Sequence, residues 1–72
     1  MNRYLKKQMI TMAKRIHRPN IIEPISESNS LEESFVPDRD GSSFWFKVDG
    51  DIRHLTYTEF KNNFSKMEGK NA

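Results

Sequence analysis

The stretch SFWFKVDGDIRHLTYTEFKNNFSKM, residues 43–67, holds six of the chain's eight aromatic residues and its one tryptophan. It reads as a strand, a tight turn, a second strand and a capped helix. Asp49-Gly50 lies between two β-rich runs, and both residues tolerate the positive φ that a two-residue hairpin turn demands. Such a turn pairs Val48 with Asp51 and puts Phe44, Phe46, Val48, Arg53 and Leu55 on one face. A three-residue bulged loop shifts the register by one and groups Phe44 and Phe46 with Ile52 and His54 instead. The two-residue turn is the favoured reading. Thr56-Tyr57-Thr58-Glu59 then has capping-box spacing. Tyr57, Phe60, Phe64 and Met67 follow at i, i+3, i+7 and i+10, one face of a helix that Gly69 ends. Folded back over the hairpin, this helix closes an expected core of Phe44, Phe46, Val48, Leu55, Tyr57, Phe60, Phe64 and Met67.

Upstream, residues 2–17 suit an amphipathic helix. Leu5, Met9, Met12 and Ile16 recur at helical spacing, and Ile10 and Ala13 widen the stripe. Asn2 can cap the start, and Pro19 disfavours helical geometry at Arg18. Residues 19–42 contain all three prolines, five serines and most of the acid without a sustained period, and so read as an irregular acidic linker. Within it, Ser30-Leu31-Glu32-Glu33 has capping-box spacing, enough for one helical turn. The apolar Ile21, Ile22, Ile25, Leu31, Phe35 and Val36 imply that part of the linker packs on something. The organisation is therefore a basic helix (1–18), an acidic linker (19–42), a hairpin-helix core (43–68) and a tail (69–72). The fold class is α+β, in the order α-β-β-α.

Seventy-two residues allow one small domain, which buries only about 60% of its unfolded surface. Disulfides, a metal or a partner chain usually reinforce a scaffold of this size. Cysteine is absent, which removes disulfides and thiolate zinc sites together. Self-association or docking onto another macromolecule is the expected reinforcement, with a homodimer ahead of a free monomer. No signal-peptide pattern and no apolar run of membrane-spanning length is visible. The expected location is cytoplasmic, and a bacterial or phage cytoplasm suits a chain this small.

The net charge of +2 hides a segregation. Residues 1–18 carry Arg3, Lys6, Lys7, Lys14, Arg15 and Arg18 and no acid, whereas residues 19–40 carry six acids against Arg39. Segregation of this kind points to partner binding or to mutual neutralisation of neighbouring segments.

Catalytic chemistry finds little support. Nucleophilic catalysis needs an oriented base beside a hydroxyl or thiol, and neither His17 nor His54 has an acid or hydroxyl placed beside it by the sequence. Asp38-Arg39-Asp40-Gly41 resembles part of a calcium loop. Aligning Gly41 with the loop glycine, however, puts Val36 at the first ligand position and Lys47 at the last, which breaks the match. The three glycines stand too far apart to cradle a phosphate. The expectation is a non-enzymatic chain with no cofactor, no metal and no small-molecule substrate. The helix stripe lacks Trp and Phe, a poor lipid-anchoring face.

Protein binding fits more features: the stripe Leu5, Met9, Met12 and Ile16 on a tethered helix, the open edges of a hairpin, and an exposed hairpin surface of Trp45, Lys47 and Arg53. The reading is a small interaction protein, a regulator or inhibitor of a larger assembly, whose partner is another protein or a second copy. The alternative is nucleic-acid binding through Lys6, Lys7, Lys14, Arg15 and Arg18. Trp45 stands opposite Phe44 and Phe46. The first helix, another chain or nothing must cover it.

Overall fold

The computed structural model describes the backbone of residues 2–39 and 41–69, and the side chains through Ser65. The elements run α1 (Arg3–His17), β1 (Ile22–Pro24), a 3₁₀ turn (Leu31–Glu33), β2 (Phe35–Asp38), β3 (Gly41–Val48), β4 (Asp51–Thr56) and α2 (Tyr57–Gly69). The molecule is an α+β fold of two helices and one antiparallel sheet.

The hairpin is the one the two-residue turn dictates. Val48 pairs with Asp51, Phe46 with Arg53 and Phe44 with Leu55. Asp49 and Gly50 take φ of 50° and 91°, the left-handed conformations that the turn requires. Thr56 caps α2 in both directions: its N–H donates to Glu59 Oε1 at 3.0 Å, and the Glu59 N–H donates to Thr56 Oγ1 at 3.0 Å. At the other end of the chain, Asn2 Oδ1 accepts the Leu5 N–H at 2.7 Å and starts α1. Arg18, before Pro19, turns left-handed and donates its N–H to the Lys14 carbonyl, which ends α1.

The segment expected to be an irregular linker completes the sheet. β1 pairs with β3 through Ile22–Val48, Glu23–Lys47 and Pro24–Phe46. β2 pairs with β3 through Phe35–Phe44, Val36–Ser43, Pro37–Ser42 and Asp38–Gly41. Because β4 occupies one edge of β3 along residues 43–48, β1 and β2 must share the other edge end to end. Trp45 N–H to Ser34 O and Asp49 N–H to Ile21 O, each 3.0 Å, extend this ladder. Both strands are short, and their prolines are tolerated because an edge strand can leave one side unpaired. The capped turn at Ser30 is present, with the Ser30 N–H bonded to Glu33 Oε1 at 2.9 Å. Asp38 and Gly41 face each other where β2 ends and β3 begins. Asp38 Oδ1 accepts the Arg39 N–H at 2.7 Å and Oδ2 accepts the Ser43 hydroxyl at 2.9 Å. Asp40 itself lies outside the described residues. Gly41 adopts φ of 131°, and a Cβ there would meet the Tyr57 ring at 3.0 Å.

The alternation of β3 fixes the core. Phe44 and Phe46 are fully buried, with Leu55 beside them on the same face. Met9, Ile10, Met12 and Ala13 from α1 and Phe60 from α2 cover that face, so both helices lie on one side of the sheet. Phe35, Phe44 and Phe46 form a stacked row with centroid separations of 4.8 and 4.6 Å. Each fully buried Phe contributes about 1.5–3 kcal/mol of transfer free energy. Val48 and Tyr57 pack at the edge of this cluster, whereas Phe64 is 41% exposed and does not join the core. The Met67 side chain lies outside the described residues.

Asp49 has a second function. Its carboxylate accepts the N–H of Ile21 at 2.9 Å and of Asn20 at 3.4 Å, tying the exit of α1 to the hairpin tip. Asp49→Ala should lower stability by about 2 kcal/mol in urea denaturation, from the strained φ and the lost charged acceptor. Asp49→Asn, which tolerates the same φ and keeps one oxygen acceptor, should lose markedly less.

Candidate functional site

With both helices on the Phe44 face, no helix among the described residues lies over the opposite face of the sheet. Pairing and alternation place Glu23, Val36, Asp38, Ser43, Trp45, Lys47, Ile52, His54 and Thr56 there. Its centre is aromatic: the Trp45 and His54 rings stack at 4.7 Å with an interplanar angle of 22°. Apolar side chains surround this pair and remain accessible, with Trp45 38%, Val36 51% and Ile52 55% exposed. Ile25, Ser26, Asn29, Glu33 and Ser34 bring the excursion between β1 and β2 alongside. Together with Val36, Trp45 and Ile52 they line a groove of about 370 Å³. Polar groups stand at the ends: Glu23 opposite Lys47, and Asp38 bonded to Ser43. An aromatic and aliphatic centre with a polar rim is the anatomy of a protein-binding patch.

The structure divides the sequence-predicted binding residues among three places. Trp45 and Lys47 lie together on the open face. Arg53 lies on the opposite face of the hairpin, cross-strand from Phe46, and is held by Asp51 at 3.9 Å. A two-residue register puts residues 45 and 53 on opposite faces, so they cannot form one surface. Met9 and Met12 are buried in the chain's own core, Leu5 is half-buried against it, and Ile16 is left exposed. The stripe of α1 thus covers this chain's own sheet, which is tethered beside it and needs no association from solution. Lys7, Lys14, Arg15 and Arg18 are exposed on α1. Lys6 instead turns over the Phe35 ring, with Nζ 5.5 Å from the centroid. Ile52 and His54 join Trp45 by the same alternation that fixes the hairpin, and were readable from it. Val36 and Ile25 reach the groove only through the long-range pairing of β1 and β2, for which the local sequence carries no signal.

The histidines make aromatic contacts. His54 lies against Trp45, and His17 meets Phe46 edge-on at 5.4 Å. Among the described residues no group of three His, Cys, Asp or Glu side chains stands close enough to hold a metal ion, and no helix is long and apolar enough to cross a membrane. The chain matches no family model, no curated protein and no solved structure.

Three carboxylates are held below their ordinary pKa by hydrogen bonds. The N–H of Thr56 lowers Glu59, and the N–H of Arg39 followed by the Ser43 hydroxyl lowers Asp38. The N–H of Ser30 lowers Glu33. His54 adds a smaller favourable field at Asp38 and Glu59. In acid the unfolded chain takes up protons before these native carboxylates do. Their contribution to stability is therefore complete above the ordinary carboxylate range and is lost as pH falls through the lowered values. Melting followed by circular dichroism should be flat in this respect from pH 7 to about 5 and decline below about pH 4.5. The double variant Asp38→Asn, Glu59→Gln should show a shallower acid decline, and an unchanged decline would contradict the role given to these two groups.

Proposed function

We propose that this chain is a small non-enzymatic interaction protein that docks through the open face of its sheet, and that the surface seats a second copy of the chain. The observation that carries the reading is the accessible Trp45 ring, stacked on His54 and ringed by Val36, Ile25 and Ile52 on a face that no helix covers. Charge favours a second copy. The face offers both signs, with Lys47 beside Glu23, so a two-fold can set each Lys47 against the partner's Glu23 without like-charge conflict. The same two-fold leaves the cationic helices on the two outer sides, far from each other. Pairing through the free edge of β4 is the less favoured geometry. That edge carries the Asp51–Arg53 ion pair, and Arg53 Nη1 donates to the Ile52 carbonyl at 3.4 Å, which blunts it.

The size of the face sets the strength. Eight residues of β3 and three strand widths give a footprint of roughly 350–400 Å², against the ~800 Å² per partner of a standard interface. The excursion at 25–34 enlarges the footprint, but a weak, concentration-dependent dimer is the consistent expectation. A module of this kind acts by occupying a surface, which suits a regulator or inhibitor of a larger assembly, and a cytoplasmic location belongs to the same proposal.

Trp45 is the chain's one tryptophan and reports on this face directly. On dilution from millimolar to sub-micromolar protein, light-scattering mass should fall from dimer to monomer while Trp45 emission shifts to the red. Ile52→Asp should be monomeric throughout with an unchanged far-ultraviolet spectrum. A wild type that stays monomeric at millimolar concentration, or an Ile52→Asp variant that still dimerises, would overturn the proposal.

A further inference from the structure

The geometry points to a second binding surface, independent of the sheet face and on the other side of the molecule: the outer ridge of α1, fitted to the phosphate backbone of a nucleic acid. Three observations carry it. The first is placement. At 100° per residue, Arg3, Lys7 and Lys14 fall within about 40° of one another around the helix, along about 17 Å of its axis. Arg15 flanks the ridge and Arg18 extends it at the left-handed cap, and all five are exposed. The second is rigidity. Met9, Ile10, Met12 and Ala13 anchor the inner side of the helix in the core, so the ridge is held at a fixed position facing solvent.

The third is the use made of the chain's acids. Glu33, Asp38, Asp49 and Glu59 each accept a backbone N–H, at Ser30, Arg39, Ile21 and Thr56 respectively. Among the described residues the one ion pair joins Arg53 to Asp51. Glu33 and Asp38 of the acidic segment are thus engaged by the backbone, and no ion pair among the described residues involves a cation of α1. A 17 Å row spans about five phosphates of one strand at 3.4 Å per step, and contacts to phosphate carry no sequence information. Binding should therefore be sequence-independent and driven by counterion release.

The test is fluorescence anisotropy with the full chain and a fluorescein-labelled duplex DNA of mixed sequence. About four phosphate contacts predict an affinity loss on the order of 100-fold between 50 and 200 mM salt. Lys7→Glu with Lys14→Glu should abolish binding at the lower salt, whereas Arg39→Glu, an exposed cation outside α1 and outside the open sheet face, should bind as the wild type does. Should the charge-reversed pair fail to give a native circular dichroism spectrum, Lys7→Gln with Lys14→Gln replaces it, and a weaker affinity with a reduced salt slope is the expected result. The inference is overturned by absence of binding at 50 mM salt, by a ridge variant that binds like the wild type, or by unlabelled poly-glutamate competing as strongly as unlabelled duplex. The last result would assign the ridge to an acidic protein instead.

Discussion

The two left-handed residues at the hairpin tip are the constraint on which the rest depends. With Asp49 and Gly50 alone in the turn, Val48 must face Asp51, and every side chain of β3 and β4 is assigned to a face. A slip of one residue would group Ile52 and His54 with Phe44 and Phe46 and move Leu55 to the face of Trp45. The same Asp49 carboxylate takes the backbone N–H groups that follow α1, so the register of the hairpin and the docking of the helix are set at one point. The turn thus decides which face is closed and which is left open.

From that constraint follows the division of the molecule into a closed side and an open one. β3 is satisfied on both edges, by β4 along one and by β1 and β2 in tandem along the other. The two helices cover only the phenylalanine face, because the apolar residues of α1 and α2 suffice for one layer. The core is small, with eight buried apolar residues among those described, and such a core leaves little stability in reserve. Apolar surface left on the second face would, under the proposed dimer, add stability by association.

The sequence discloses the local features and withholds the long-range ones. Asp49-Gly50, the Thr56–Glu59 box, Asn2 and Pro19 act within four residues of themselves, and each does in the structure what its spacing implies. β1 and β2 leave no such trace. They are three and four residues long, each contains a proline, and they exist because β3 offers an unpaired edge. The helix stripe was legible as a stripe, but periodicity does not say which apolar surface it meets, so Met9 and Met12 read as partner-binding and are buried at home. Trp45 and Lys47 were found by alternation. Val36 and Ile25 come to the same groove through pairings distant in sequence.

Amide hydrogen exchange by nuclear magnetic resonance tests the two-edged β3 most directly. The account predicts strong protection at Phe44 and Phe46, bonded towards β4, and also at Trp45, bonded to Ser34 O. Ile52 and His54, whose N–H groups alternate onto the outer edge of β4, should exchange much faster. Protection of Trp45 as weak as that of Ile52 would mean that β1 and β2 do not complete the sheet, and would contradict the account.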